Sequence, residues 1–275
     1  MFLAFGSALR SSSAGRQVGA AIATRDGDIV AVGTNEVAKA FGGQYWGEDE
    51  HDHRDHMRGD DSNASMAEHV LVDLLARLRK QGWLTGEKAP LDLDALLAMA
   101  RAELLGPMAA VGDDPPSLAE SARIRHIIEF IRAVHAEMAA LMSAARRGVV
   151  VDGCTLYSTS FPCHECARHI VAAGIRRVVF IEPYPKSRVG ALYDDSICID
   201  RDTSEKVPFQ AFIGIAPRLY RRAFTMPARK AGDGRWIDWE QIRRRQCPRY
   251  HEPSDAYINK ELNWMRLLSD VTQAR

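Results

Sequence analysis

The stretch CTLYSTSFPCHECARHIVAAGIRRVVFIEPY, residues 154–184, changes its hydrophobic pattern twice and thereby decides the fold. Residues 154–160 favour a strand, residues 163–175 have the spacing of an amphipathic helix, and residues 176–184 favour a buried strand. A strand, a helix and a strand in this order indicate two parallel strands that are joined by a crossover helix.

The sequence on either side extends this unit into a larger sheet. Residues 17–35 contain two short apolar segments around the turn RDGD, which is typical of a β-hairpin. Residues 135–148 favour a helix that ends at Gly148, and residues 207–224 favour a further strand and a helical turn. We therefore predict an α/β fold, a three-layer α/β/α sandwich with a mixed central sheet.

A helical insertion is predicted at about residues 41–117. Its first part, residues 43–63, is charged and lacks apolar periodicity, so we expect a long loop there. Helical periodicity then recurs in residues 65–79 and 92–105, and again after the insertion in residues 117–134. We assign residues 1–225 to one domain and residues 226–275 to a C-terminal extension of uncertain form.

The composition argues against several classes of protein. Lys plus Arg equals Asp plus Glu at 36 each, so no global positive field draws the chain to nucleic acid or to an anionic membrane. No apolar run approaches the roughly 20 residues that span a bilayer, and the first residues make no convincing signal peptide. We expect a cytoplasmic protein with no membrane partner, and nucleic acid is disfavoured as a partner.

Two of the five cysteines, Cys163 and Cys166, lie at the start of a predicted helix. Their offset puts both sulfur atoms on one side of the first helical turn, where the helix dipole favours the thiolate. Taken alone, the pair is compatible with a structural zinc site, a catalytic zinc site or a redox pair. We expect Cys154 to be a buried core residue of its strand.

A second motif, VHAEMAAL, supplies His135 and Glu137 at the start of another predicted helix. Residues two positions apart lie about 200° apart around a helix, so they can share a ligand only beyond its end. If the two helices begin at the same edge of the sheet, His135 and the cysteine pair provide three zinc ligands and leave a fourth position for water. Glu137 then accepts a proton from that water, whose pKa zinc lowers toward about 7.

The combination of H-x-E with a later P-C-x-x-C is the signature of zinc-dependent nucleobase deaminases. Three segments resemble the main blocks of the deoxycytidylate deaminases of the cytidine deaminase-like superfamily. They are VHAEMAAL, TSFPCHECARHIVAAGIRRVVFIEPYP and RQVGAAIAT…VGTNEV. IEFIRAVHAEM, EPYPKS and GIAPRLY are similar to the deaminase domain of bacterial anti-phage dCTP deaminases. The resemblance covers about residues 5–224. Those relatives commonly carry an N-terminal kinase-like domain, so this chain either lacks that module or is a fragment.

The resemblance implies a role for each motif residue. It assigns zinc binding to His135, Cys163 and Cys166, and the proton shuttle to Glu137. It further implies that Asn35 holds a sugar hydroxyl and that residues 11–16 lie near a phosphate. The candidate substrate-binding residues are therefore Asn35, Arg16, Ser11, Tyr184 and Lys186.

Alternatives remain for Arg16, Tyr184 and Lys186. Arg16 is equally compatible with an exposed position at the start of a strand, and the pair Tyr184 and Lys186 with a turn formed by two prolines. The histidine-rich loop HDHRDHMRGDD, residues 51–61, is compatible with a second metal site, but we predict a charged surface loop.

These observations predict a zinc-dependent enzyme that deaminates a free deoxycytidine nucleotide, dCTP or dCMP, in anti-phage nucleotide depletion. The resemblance also implies a homo-oligomer. One alternative is a deaminase of bases in single-stranded DNA or RNA, which Trp236 and Trp239 beside the arginines 243–245 favour. The other is a non-catalytic interaction module, in which a fourth protein ligand would close a structural zinc site.

Overall fold

The structure is a computed structural model, and it describes residues 1–13, 15–59, 61–104, 122, 124, 127–200 and 205–217. The chain divides into two compact units, Met1–Ile213 and Gly214–Arg275. Only residues 214–217 of the second unit are described, so every helix and strand given below belongs to the first unit.

A mixed six-stranded sheet lies at the centre of the first unit. The strand order is β2-β1-β5-β6-β8-β7; β1 is antiparallel to both of its neighbours, and the remaining pairs are parallel. The strands are β1 (Gly19–Ala23), β2 (Ile29–Thr34), β5 (Thr155–Ser160), β6 (Arg177–Glu182), β7 (Ile197–Ile199) and β8 (Val207–Ala211). Two short strands, β3 (Glu36–Val37) and β4 (Ala133–Val134), form a separate antiparallel pair.

Helices cover both faces of the sheet, and two glycines allow the closest approaches. A Cβ atom on Gly19 would lie 2.0 Å from Ala4 O of helix α1 (Phe2–Ala8), and one on Gly33 would lie 2.2 Å from Ala136 O of helix α5 (Ala136–Arg146). Gly33 pairs with Ala20, which follows Gly19, so the two glycines face opposite sides of the sheet. Helices α1 and α5 therefore form the outer layers of the predicted three-layer sandwich.

The described helices are α1 (Phe2–Ala8), α2 (Asp55–Arg58), α3 (Ser62–Lys80), α4 (Leu93–Met99), α5 (Ala136–Arg146), α6 (His164–Ala172) and α7 (Val189–Leu192). A short 3₁₀ helix (Gly86–Lys88) precedes α4, and a π-helical turn (Ala100–Leu104) follows it. The main core joins α5 and α6 to the sheet through fully buried side chains such as Leu156, Ile170 and Phe209. Leu71, Leu75 and Leu96 form a smaller core within the insertion.

The structure confirms most of the predicted elements and corrects one of them. The hairpin, the crossover unit around α6 and the strand at residues 207–211 are all present. The predicted helix over residues 117–134 is wrong for residues 127–134, which form a turn followed by β4. Ser62 Oγ donates to Phe130 O, and β4 pairs with β3, so tertiary contacts satisfy backbone groups that a helix would have satisfied itself.

Several short elements have no counterpart in the sequence-based prediction, among them α1, α2, α7, β3, β4 and β7. Each spans no more than 7 residues, too few to display a clear periodicity. Within the described residues, no helix combines the length and the apolar character that crossing a membrane requires.

Candidate active site

The N-termini of α5 and α6 carry the predicted metal ligands. His135 is the N-cap of α5 and Cys163 is the N-cap of α6, and both residues have an extended backbone. The Sγ atom of Cys163 accepts a hydrogen bond from Cys166 N at 3.4 Å, which fixes the first turn of α6. The extended N-cap conformation lets each side chain project beyond its helix, as the argument from the H-x-E spacing required.

The three predicted ligands meet at one point. The Nδ1 atom of His135 lies 3.2 Å from Cys163 Sγ and 3.4 Å from Cys166 Sγ, and all three ligand atoms lie within 4.8 Å of one another. Ligand atoms around a tetrahedral zinc ion are about 3.5 Å apart, and one imidazole with two thiolates is a typical zinc donor set. The geometry therefore fits zinc. The described residues contain no other such group of three.

Mutual hydrogen bonding divides the protons unequally between the two thiols. A hydrogen bond from Cys166 lowers the pKa of Cys163, and His135 acts in the same direction. The same Cys163–Cys166 hydrogen bond, followed by burial, raises the pKa of Cys166. Burial lowers the pKa of His135, but its hydrogen bond with Cys163 and the charge there outweigh burial, so this pKa is raised. These shifts favour the thiolate form at Cys163 over the thiolate form at Cys166.

The carboxyl group of Glu137 lies beside this group but is not part of it. It is only 3% exposed; its Oε1 accepts a hydrogen bond from Ser158 Oγ at 3.2 Å, and its Oε2 lies 3.6 Å from Cys166 Sγ. Burial raises the pKa of Glu137, because a charged carboxylate loses its hydration there. The arrangement provides three protein ligands and a separate acid–base group, as an open zinc site requires.

A cavity of about 290 Å³ opens next to these groups. Besides the metal ligands His135 and Cys163, its walls include Glu137 and four of the predicted substrate-binding residues, Asn35, Arg16, Tyr184 and Lys186. The remaining lining residues are Ser13, Gly15, Val18, Ile131, Ala133, Ala136, Ser160 and Phe161. The structure thus brings seven of the nine predicted site residues to one cavity, while Cys166 and Ser11 are not part of its lining.

Ser11 and Asn35 have internal partners in the structure. Ser11 is buried, its hydroxyl donates to Asn35 O at 2.8 Å, and it accepts from Ser13 N at 3.2 Å. The side chain of Asn35 accepts from Val18 N at 2.7 Å and donates to Arg16 O at 2.9 Å. Asn35 therefore shapes the cavity wall, and these partners use one of its two amide hydrogens. Ser13 lines the cavity in place of Ser11.

The cationic and aromatic side chains of the cavity, Arg16, Lys186 and Tyr184, differ in their ion pairs and in their protonation. Arg16 is 52% exposed at its side chain, and its Nη1 lies 2.9 Å from a carboxylate oxygen of Glu182. Lys186 makes no ion pair with any residue in the described ranges. Burial raises the pKa of Tyr184 to about 12, so its phenol stays neutral at physiological pH.

The cavity residues that the sequence did not predict fall into two groups. Ser13, Ser160 and Phe161 lie within stretches that the motifs already contain, and reading the residues next to each motif would have found them. Ile131 and Ala133 lie in the segment that was predicted to be helical. Both lie within the quoted motif IEFIRAVHAEM, but their position at the cavity depends on the pairing of β4 with β3, which the local sequence does not encode.

The charged loop at residues 51–61 forms ion pairs. Arg54 binds Asp52 at 2.6 Å, and Arg132 binds Asp55 at 2.5 Å. The hydrogen bond from Arg54 lowers the pKa of Asp52 to about 2. The acids and histidines of the described part of this loop form no metal-binding group of three.

The fold and the site together define an α/β protein with a His–Cys–Cys zinc site at two helix N-termini and a glutamate beside it. Residues 1–182 match the family described as the cytidine and deoxycytidylate deaminase zinc-binding region, and the chain belongs to this family. The family match confirms the prediction of zinc as the cofactor. The sheet is accordingly the cytidine deaminase-like α/β/α sandwich that the sequence resemblance implied.

Several known proteins are similar to parts of the chain. The deoxycytidylate deaminase of Enterobacteria phage T4 is 42% identical over 62 residues, which are 22% of this chain and 31% of the phage protein. The human deoxycytidylate deaminase is 45% identical over 47 residues, 17% of this chain and 25% of the human protein. The chain thus spans about a third or less of the length of these curated relatives. The crystal structure of the dCMP deaminase of cyanophage S-TIM5 is similar to this chain with a TM-score of 0.36 and 15% sequence identity. The similarity covers 76% of this chain and 90% of the cyanophage chain.

Proposed function

We propose that this protein hydrolytically deaminates a free deoxycytidine nucleotide to the deoxyuridine nucleotide and ammonia. The observation that carries the proposal is the position of Glu137, a buried carboxyl group beside three zinc ligands at the wall of one cavity. Several relatives named deoxycytidylate deaminase support the choice of substrate.

His135, Cys163 and Cys166 would hold zinc, which supplies the Lewis acidity that makes a water molecule acidic near neutral pH. The chain's own contribution is the movement of protons. In the net reaction the oxygen of water bonds to C4 of cytosine, and the bond between C4 and the amino nitrogen breaks. Glu137 receives protons from the water at its carboxylate and delivers them to the ring and to the departing ammonia. Ser158 holds one oxygen of that carboxylate in place.

Other residues of the cavity wall suit a sugar phosphate. Arg16 and Lys186 offer positive charge, and Ser13 offers a hydroxyl. Arg16 would exchange its exposed partner Glu182 for the phosphate, because a doubly charged anion competes well with one solvated carboxylate. The other amide hydrogen of Asn35 would bind a sugar hydroxyl, and Tyr184 would pack against the nucleotide.

We extend the proposal to dCTP as a substrate and to nucleotide depletion during phage infection, in a cytoplasmic homo-oligomer. The support is the resemblance of IEFIRAVHAEM, EPYPKS and GIAPRLY to anti-phage dCTP deaminases. The balanced charge of the chain favours a free nucleotide over a nucleic acid strand, which is usually held by basic surface.

The test is ammonia release by the zinc-loaded protein from dCMP, dCTP, deoxycytidine and a single-stranded oligonucleotide. We expect release from the nucleotides. Release from the oligonucleotide alone would favour the nucleic acid deaminase, and release from none would contradict the proposal.

The variant Glu137→Gln separates an enzyme from a zinc-stabilised interaction module. We expect it to keep its zinc, measured by metal analysis, and to lose at least about 10²-fold in kcat, because a general acid–base group typically contributes that much. The matched control is Glu165→Gln, which changes a carboxylate on the first turn of α6 that pairs with Arg168. We expect this control to keep both zinc and turnover.

A further inference from the structure

Glu36 is a buried carboxyl group that the proposed reaction does not use. It begins strand β3, where it pairs with Val134, and it is only 2% exposed. Burying a carboxylate is costly unless hydrogen bonds replace its hydration, so its partners indicate what it does for the structure.

The carboxylate of Glu36 has three hydrogen-bond donors. Its Oε2 accepts from both Ser12 N at 2.9 Å and Ser12 Oγ at 2.6 Å. Its Oε1 accepts from Val37 N at 2.9 Å. Two of the three donors therefore belong to one residue that lies 24 positions earlier in the chain. Glu36 fixes the backbone and the side chain of Ser12 together.

Ser12 is also the point where the charged loop joins the cavity wall. Its hydroxyl lies 3.2 Å from His56 Nδ1 and 3.3 Å from Arg54 Nη1. Arg54 is in turn held by Asp52. Because this hydroxyl donates to Glu36, it can accept from the loop, and the carboxylate thus orients the hydroxyl toward its other partners.

Three of the residues that follow Ser12 belong to the cavity wall. Ser13, Gly15 and Arg16 line it, and Asn35 holds the far end of this segment through Arg16 O. The two consecutive residues Asn35 and Glu36 thus bind the two ends of one wall segment. Because Ser13 adjoins Ser12, a change in the position of Ser12 would move the end of the segment that carries Ser13.

We propose that Glu36 is a positioning residue that fixes Ser12 and, through it, the wall that binds the phosphate end of the nucleotide. This inference rests on the proposed function, and it concerns binding rather than the movement of protons. Glu36 lies outside the cavity lining and acts through Ser12.

The variant Glu36→Gln tests the inference, since a glutamine turns one acceptor into a donor and cannot receive all three hydrogen bonds. We expect KM and the calorimetric Kd for dCMP to rise about tenfold, the scale of a lost charged hydrogen bond. The kcat, the zinc content and the Kd for deoxycytidine, which lacks the phosphate, should stay within about twofold. The control is Glu50→Gln, because Glu50 is exposed and has no ion pair within the described residues.

A second variant, Ser12→Ala, removes the hydroxyl. The backbone N–H is then the only donor that residue 12 still offers to the buried carboxylate of Glu36. This variant should also weaken the binding of dCMP, and it provides the test if Glu36→Gln does not fold. Equal losses for dCMP and deoxycytidine, or no loss in either variant, would overturn the inference. A wild-type protein that binds dCMP but releases no ammonia would instead contradict the proposed function alone. No binding of dCMP by the wild type would overturn both.

Discussion

At the scale of single residues, the proposed role of Glu137 depends on how Ser158 orients it. Ser158 is fully buried on β5, and its Oγ accepts from Ser160 N at 3.4 Å. The hydroxyl hydrogen of Ser158 in turn donates to Glu137 Oε1. The other carboxylate oxygen is then left facing the side of the metal ligands, near Cys166.

The variant Ser158→Ala should lower kcat by about tenfold or more, because a hydrogen bond to a charged group is lost. The KM and the zinc content should hardly change, since Ser158 does not line the cavity. Steady-state kinetics and metal analysis check this, and Ser158→Thr, which keeps a hydroxyl, should restore most of the rate. A rise in KM with an unchanged kcat would refute this role.

Tyr184 gives a prediction about pH. Burial raises its pKa to about 12, and a raised pKa means that the neutral phenol persists to higher pH than usual. Tyr184 should therefore contribute no alkaline limb to the profile of kcat/KM against pH below about pH 11. The profile of Tyr184→Phe should have the same alkaline limb as the wild type, even if its absolute rate is lower. A limb that disappears in Tyr184→Phe would contradict the assignment.

At the scale of the elements, helix α5 carries His135 as its N-cap and Glu137 in its first turn, so the position of α5 on the sheet sets the geometry of the site. That position depends on Gly33 of β2. A Cβ atom there would lie 2.2 Å from Ala136 O and 2.4 Å from Ala140 N, both of them backbone atoms that cannot rotate away. Only a residue without a side chain lets α5 approach this closely.

The variant Gly33→Ala should destabilise the protein by about 1–3 kcal/mol, the usual cost of overpacking. It should also reduce turnover, because α5 must move away from the sheet. The matched control is Gly6→Ala in α1, where an added Cβ meets no atom within 4 Å. There the better helix propensity of alanine should leave stability equal or higher by up to about 1 kcal/mol. Urea unfolding measures both variants, and equal effects would contradict the close-packing argument.

At the scale of the whole molecule, the core and the metal site are distinct sources of stability. The main core contains fully buried side chains from β1, β5, β6, β8, α5 and α6, most of which lie away from the ligands. A core of this extent should fold without metal, unlike the core of a small zinc finger. Zinc should therefore add stability to a fold that already exists.

Removal of zinc with a chelator should lower Tm by roughly 10 °C, because a ligand at about 1,000 times its Kd contributes about 4 kcal/mol. The far-UV circular dichroism at 25 °C should persist, and added zinc should restore Tm. The double variant Cys163→Ser with Cys166→Ser should melt at the same temperature with and without the chelator. Loss of the circular dichroism signal on chelation would show that the fold itself depends on the metal.

The sequence predicted the alternation of strands and helices around residues 154–184 and the hairpin of β1 and β2, and the structure confirms both. These predictions succeeded because each depends on periodicity or turn chemistry within a few neighbouring residues. The helix expected over residues 117–134 is wrong for residues 127–134, because the partners of that segment are β3 and α3, which lie far away in the chain.

The sequence by itself determined which chemical groups the protein offers, since the H-x-E and P-C-x-x-C spacings place ligands and an acid at two helix N-termini. Only the tertiary structure decided that these termini meet and which residues enclose the cavity beside them. The contact of Ser12 with Glu36 and the lining by Ile131 and Ala133 bring together segments that lie far apart in the chain. Such contacts depend on how whole elements pack, because burial and hydrogen bonding act between neighbours in space.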